Sequence, residues 1–348
     1  MDKDTFSNDS VVTEMGDILC MNIDKDSKAG GKVAELYGIG GLPTLLFLDS
    51  DGSPRDSIIG YLAPGPFLAE VKRIKSGAGT ISGLRAELEK NNDNVLAHLE
   101  LAAKLGGFND KEGAAAHVQS ATNLLRAGKG FDANSVEARF AIAQALRERK
   151  LDDLYDEQVA AIARLDPEGK SMPSRRLALD EAMDTLLATE DKTALLAILG
   201  KESDGELLFE GWNMVQRFEA WKGRQAGEDG DAAAAKEHRA AARHAGTQAW
   251  EHCPEDRVDT FGNSLAWSYY EAAEELTEEE KSLAVGIAYK ALNAAPGDVN
   301  VMDTVACCLF MNGHIIDAVK MSKECVKIDP ENKLWMERIA EFRAGLKK

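Results

Sequence analysis

Pro296 and Pro330 stand 34 residues apart, and each closes an amphipathic run. The same punctuation occurs in Leu165-Asp166-Pro167-Glu168 and Cys253-Pro254-Glu255-Asp256. Proline has no amide hydrogen and restricts the residue before it, so each marks a helix stop. From Ser82 onward strand signals vanish. Asn94–Leu105, Glu112–Leu125, Ser135–Arg147, Leu154–Leu165 and Arg175–Leu187 all carry apolar residues at helical spacing. Helices in consecutive pairs with regular stops predict an α-solenoid over residues 82–348, each pair burying its apolar face on its neighbours.

The 348 residues carry a net charge of −18. Residues 1–83 hold 8 Lys/Arg and 12 Asp/Glu, so the helical part carries −14 of it. A surface this acidic repels phosphate backbones, which excludes nucleic acid and anionic membrane as expected partners. No run of 18 apolar residues suggests a membrane span. Five cysteines without C-x-x-C spacing argue against a disulfide framework or a zinc ribbon. The six histidines form no H-E-x-x-H, Asp49-Ser50-Asp51-Gly52 lacks the distal glutamate of a calcium loop, and Gly38-Ile39-Gly40-Gly41 precedes a strand rather than a helix. No metal or cofactor is expected.

Val299–Asn332 resembles a tetratricopeptide repeat (TPR) without a gap. Small Ala306, Ala318 and Cys325 stand where two helices must approach closely, Leu309 fills the seam, Gly313 falls at the turn and Pro330 closes the unit. Residues 260–298 fit the same pattern with an insertion at Glu274–Lys281, expected to lengthen the connection by about two helical turns. Upstream units are degenerate. The resemblance implies a protein or peptide partner held in a groove lined by first helices. It transfers groove positions to Asn300, Asp303, Cys307 and Phe310, and to Asn263, Trp267 and Tyr270. Core packing is the competing reading for Trp267 and Tyr270. The lysines and asparagines of the carboxylate-clamping subclass have no counterpart.

The front differs. Ile18–Asp24 and Thr44–Leu48 read as buried strands, with a helix at Lys28–Tyr37 between them, so a parallel pair is expected. After the turn at Asp49–Gly52 comes a partner strand at Ser57–Tyr61, then a helix at Pro66–Lys75 and a linker at Gly77–Thr80. Val33–Ile39, Gly41-Leu42-Pro43-Thr44 and Gly60-Tyr61 resemble a thioredoxin-fold domain. The fold class is thus a partial thioredoxin-like α/β domain, residues 1–78, followed by the TPR-like α-solenoid. The resemblance implies a cis-proline loop at Leu42, Pro43 and Thr44 that offers backbone to an extended substrate.

It also implies an absence. The strand bearing the family's C-x-x-C, and both its cysteines, precede the point where the match begins. Thiol exchange needs a low-pKa thiolate and a resolving thiol. Cys20, read as mid-strand and buried, does not supply one. The expected function is therefore a non-catalytic protein- or peptide-binding module. The alternative is a truncated thiol–disulfide oxidoreductase whose C-x-x-C lies upstream of Met1. The incomplete sheet would leave open edges that invite self-association. The expected compartment is the cytoplasm if Met1 is the true start, and the periplasm or the exterior if a signal peptide has been lost.

Overall fold

The computed structural model describes Met1 and residues 4–345. The chain divides into two compact units, Met1–Arg175 and Arg176–Lys348.

The first unit opens with α1 (Asp9–Glu14) and α2 (Lys28–Leu36), then β1 (Thr44–Leu48), β2 (Pro54–Ile59) and α3 (Pro64–Ser76). Helices α4 (Ile81–Lys90), α5 (Val95–Gly107), α6 (Lys111–Ala127), α7 (Val136–Glu148) and α8 (Asp152–Leu165) follow. Helix α9 (Met172–Thr189) crosses the division. The second unit continues with α10 (Thr193–Leu199), α11 (Gly205–Glu228), α12 (Ala232–Trp250), α13 (Val258–Tyr270), α14 (Glu278–Ala294), α15 (Val299–Met311), α16 (Ile315–Ile328) and α17 (Lys333–Gly345).

The architecture is mostly helical, and the predicted helix pairs form. Helices α5/α6, α7/α8, α11/α12, α13/α14 and α15/α16 pack as hairpins, since short connections force consecutive helices antiparallel. Polar side chains start most of them. Asn94, Asp110, Ser135, Asp204, Asp231 and Asp298 each accept a backbone amide of the first turn that has no helical partner. Thr277 and Glu280 form a capping box on α14. The expected two-turn extension before α14 is instead a short 3₁₀ turn, Ala273–Glu275, because this cap starts a new helix at Glu278.

Small residues line the seams as the repeat pattern requires. Ala266, Ala284, Ala288, Ala306 and Ala318 are fully buried among Leu265, Ile287, Val305 and Leu309, and Cys325 is fully buried beside Met302 and Trp335. Gly313 takes a left-handed φ of 78° at the α15/α16 turn. Helix α17 adds an element beyond the recognised repeats. Lys333 falls 34 residues after Val299, and its buried Trp335, Ile339 and Phe342 stand 34 residues after Val301, Val305 and Cys308. It repeats the register of a first helix.

The front departs from expectation. Its sheet has two antiparallel strands, β1 and β2, with Leu45 opposite Ile58. The strand expected over Ile18–Asp24 does not form, so the parallel pair is absent as well. A strand needs a ladder partner, and this segment has none among the described residues. Its backbone stays with solvent, leaving Leu19 88% and Met21 75% exposed. Cys20 is accordingly exposed, not buried. β2 starts three residues earlier than expected, at Pro54. The thioredoxin-like reading of residues 1–78 is therefore left without support from the sheet. The Leu42–Pro43 peptide is cis, as expected. Gly77–Thr80 is a tight joint in which Thr80 is buried and caps α4.

Both faces of the small sheet are covered. Phe47 and Ile58 pack with Val11, Phe67, Val71 and Ile74 of α1 and α3. Leu46 turns the other way, to Tyr37 and the α4/α5 cluster of Leu84, Leu101 and Leu105. Buried Asp56 fastens β2, accepting from Arg73 at 2.9 Å and Lys104 at 2.7 Å.

Candidate functional site

Helix α13 buries Leu265, Ala266 and Tyr269 and sets Asn263, Trp267 and Tyr270 along a separate stripe, four and three residues apart. The Trp267 and Tyr270 rings lie 5.3 Å apart. Over both stands the Arg338 guanidinium of α17, at 5.7 Å from the first and 5.8 Å from the second. A guanidinium at this distance is drawn to the ring faces electrostatically.

Carboxylates surround that cation. Arg338 Nε lies 3.3 Å from Asp303 Oδ1 of α15, an ion pair whose geometry falls short of a hydrogen bond. Its Nη1 donates to Glu341 Oε2 at 3.2 Å. Trp267 Nε1 donates to Glu271 Oε1 at 3.0 Å. Burial raises the pKa of Asp303 above that of a free aspartate, against the pull of Arg338. Burial likewise pushes the Tyr270 hydroxyl up to about 12, helped by Cys307 and Glu341. The Asn263 carbonyl oxygen is buried and has no hydrogen-bond partner among the described residues. Such an atom is costly to leave unpaired.

The sequence-derived groove positions thus divide. Trp267, Tyr270 and Asp303 converge under Arg338, with Asn263 on the same stripe of α13. Asn300 is exposed in the first turn of α15, where its amide is capped by Asp298. Phe310 stacks on Phe342 at 4.7 Å, so α17 covers it. Cys307 is fully buried, its thiol directed to Asp303. Arg338 and Glu341, which complete the cluster, were not read from the sequence. Their signal was the 34-residue step from α15 to α17.

Leu42, Pro43 and Thr44 belong to the first unit. They line a cleft of about 1290 Å³ that also takes in Cys20. Leu42 is 68% exposed, and the Thr44 hydroxyl donates to the Gly41 carbonyl at 2.7 Å. The four cysteines of the second unit are held protonated by burial. Cys253 and Cys325 are raised to about 11, Cys308 to about 12, and Cys307 is raised as well. All five cysteines are free. Among the described residues no group of His, Cys, Asp or Glu is arranged to hold a metal. His98 and His117 pair through their Nδ1 atoms at 2.8 Å, and desolvation lowers the His117 pKa.

No family model and no curated protein matches the sequence. Solved structures resemble it distantly. YrrB, described as a TPR protein with an unusual peptide-binding site, is 12% identical, covering 73% of this chain and 96% of its own with a TM-score of 0.29. The C-terminal part of a TPR repeat-containing protein from Cytophaga hutchinsonii is 13% identical, covering 79% and 97%, with a TM-score of 0.37. Yeast Tom70 is 14% identical, covering 94% and 66%, with a TM-score of 0.31. At these scores the arrangement of the helices rests on the chain's own packing, which is that of a TPR-like helical repeat.

Proposed function

We propose that the chain is a non-catalytic docking module, and that the α13/α15/α17 face binds an extended segment of a protein partner. The observation that carries this reading is the Trp267–Tyr270–Arg338 cluster, half-buried at first-helix positions, beside an Asn263 oxygen that lacks a donor. Aromatic and arginine side chains with one wet edge are the groups that dominate protein interfaces. Glu271, Asp303 and Glu341 outnumber the single guanidinium among them, and the helical part carries a net charge of −14. The partner segment suited to this face donates hydrogen bonds and carries positive charge. A thiol-exchange reading is not favoured, because the buried thiols are held as thiols rather than thiolates.

The test is selection of binding peptides from a displayed random library, followed by titration of the winners by fluorescence anisotropy. The selected peptides are expected to be rich in Lys or Arg. The double variant Trp267→Ala/Tyr270→Ala should weaken them about tenfold or more while circular dichroism stays unchanged. Peptides that are acidic, or that bind the variant as well as the native chain, would contradict the assignment.

A further inference from the structure

The partner suited to the α13/α15/α17 face is basic, yet a guanidinium of the chain itself, that of Arg338, already lies over Trp267 and Tyr270. Two cations crowded onto one cluster repel, so a basic segment and Arg338 do not hold it together. The internal cation is imperfectly held. Its distances to the two ring centroids, 5.7 and 5.8 Å, lie near the outer limit of about 6 Å for this attraction. Its Nε is buried and has no hydrogen-bond partner among the described residues. The carboxylate beside it is held no better. Asp303 is 7% exposed, yet the one hydrogen bond it receives among the described residues is a long one, from the Cys307 thiol at 3.9 Å. A thiol is a weak donor, whereas a buried carboxylate is well held only by several N–H groups. Arg338 also has an exit. Its Nη1 already bonds Glu341, one turn along α17 and half-exposed, at 3.2 Å. A guanidinium turned outward keeps that partner and gains water. Helix α17 stays seated meanwhile, because buried Trp335, Ile339 and Phe342 anchor it.

Resting on the docking reading above, we infer that Arg338 is an internal stand-in for an arginine of the partner. It fills the Trp267–Tyr270–Asp303 site in the free chain and swings out toward Glu341 when the partner's guanidinium enters. The stand-in names the chemistry of what replaces it: a planar cation that lies on two rings and reaches a carboxylate. An arginine arriving from outside is not tethered to α17. It forks two N–H groups onto Asp303 while its plane rests on the rings, a fit that the internal side chain misses. A lysine brings a point charge without the fork, and so satisfies Asp303 less well. Self-occupancy also sets a threshold. The apparent affinity of the free chain is reduced by the fraction of molecules in which the site stands open, so a segment without the matching arginine does not displace the guard.

The probe is a fluorescein-labelled heptapeptide of Gly and Ser with one central arginine, titrated into the full native chain and into Arg338→Ala. The variant should bind it about tenfold or more tightly than the native chain does, because its site is no longer self-occupied. A citrulline peptide, neutral and of the same shape, should show no such gain, and a lysine peptide a smaller one. Adding Asp303→Asn to the variant should remove the gain. Should Arg338→Ala lose the native circular dichroism, the native chain decides. Labelling of Arg338 by phenylglyoxal, read by mass spectrometry, should rise when the arginine peptide is added in excess. The proposal is overturned if Arg338→Ala binds the arginine peptide no more tightly than the native chain. It is also overturned if the citrulline or lysine peptide gains equally, or if the peptide shields Arg338 from labelling. The docking reading is judged separately, by library peptides and the Trp267→Ala/Tyr270→Ala variant. Peptides that need both rings yet bind Arg338→Ala no more tightly than the native chain would overturn the exchange and leave the docking face standing.

Discussion

Glu219 is 1% exposed, yet it carries a charge on which two other elements close. Lys192, from the turn before α10, and His238 of α12 both bond its carboxylate, the latter at 2.7 Å. Burial alone would raise its pKa, but these two hydrogen bonds outweigh burial and hold it below its ordinary 4.5. A carboxylate depressed in the folded state stabilises the fold above its ordinary pKa and loses that contribution as pH falls through the depressed value. Glu219→Ala should therefore cost about 2 kcal/mol at neutral pH. Fully buried pairs lose about 3–5 kcal/mol, but Lys192 and His238 reach water, which tempers the effect. Urea unfolding at several pH values checks this. The gap between native and variant chains should narrow as pH falls below 4.5, and a constant gap would mean that the carboxylate is not the source. None of this was visible in the sequence, where Lys192, Glu219 and His238 are separated by 27 and 19 residues. Arg338 was hidden for the same reason. The aromatics it covers belong to a recognisable stripe, but the cation arrives from another helix.

At the scale of the element, glycine positions show how tightly the pairs are set. A Cβ on Gly262 of α13 would stand 2.9 Å from the Trp250 ring and 3.2 Å from Ala291 Cβ. Gly262→Val should destabilise the second unit by about 1–3 kcal/mol. Gly286 of α14 meets nothing within 4 Å, so Gly286→Ala should stabilise by about 0.5–1 kcal/mol through helix propensity. Thermal unfolding followed at 222 nm measures both, and equal effects would refute the packing described for α13. These seams were legible, because small residues at fixed spacing leave a local trace: Ala306, Ala318 and Cys325 are all buried where the pattern put them. Ile18–Asp24 was not legible in the same sense. Its residues have strand preference, but a strand is made by its neighbours, and among the described residues none pairs with it. Helix α17 lies between these cases. Its 34-residue register was present, but the repeat pattern was traced only to the unit that Pro330 closes.

For the molecule as a whole, charge and repeat point the same way. The helical part carries −14, and its helix pairs present first-helix stripes on which Trp267 and Tyr270 remain half-buried. Long-range attraction would bring a basic segment to such a surface, and the aromatic–arginine cluster would hold it. Binding should therefore weaken as salt rises from about 0.05 to about 0.5 M, since surface charges more than a Debye length apart are screened. The most direct measurement of the central claim is hydrogen–deuterium exchange of the full chain with and without a selected basic peptide. Protection confined to Asn263–Glu271 and the α17 segment Lys333–Gly345 is the predicted result. Protection elsewhere with these two segments unchanged would contradict it.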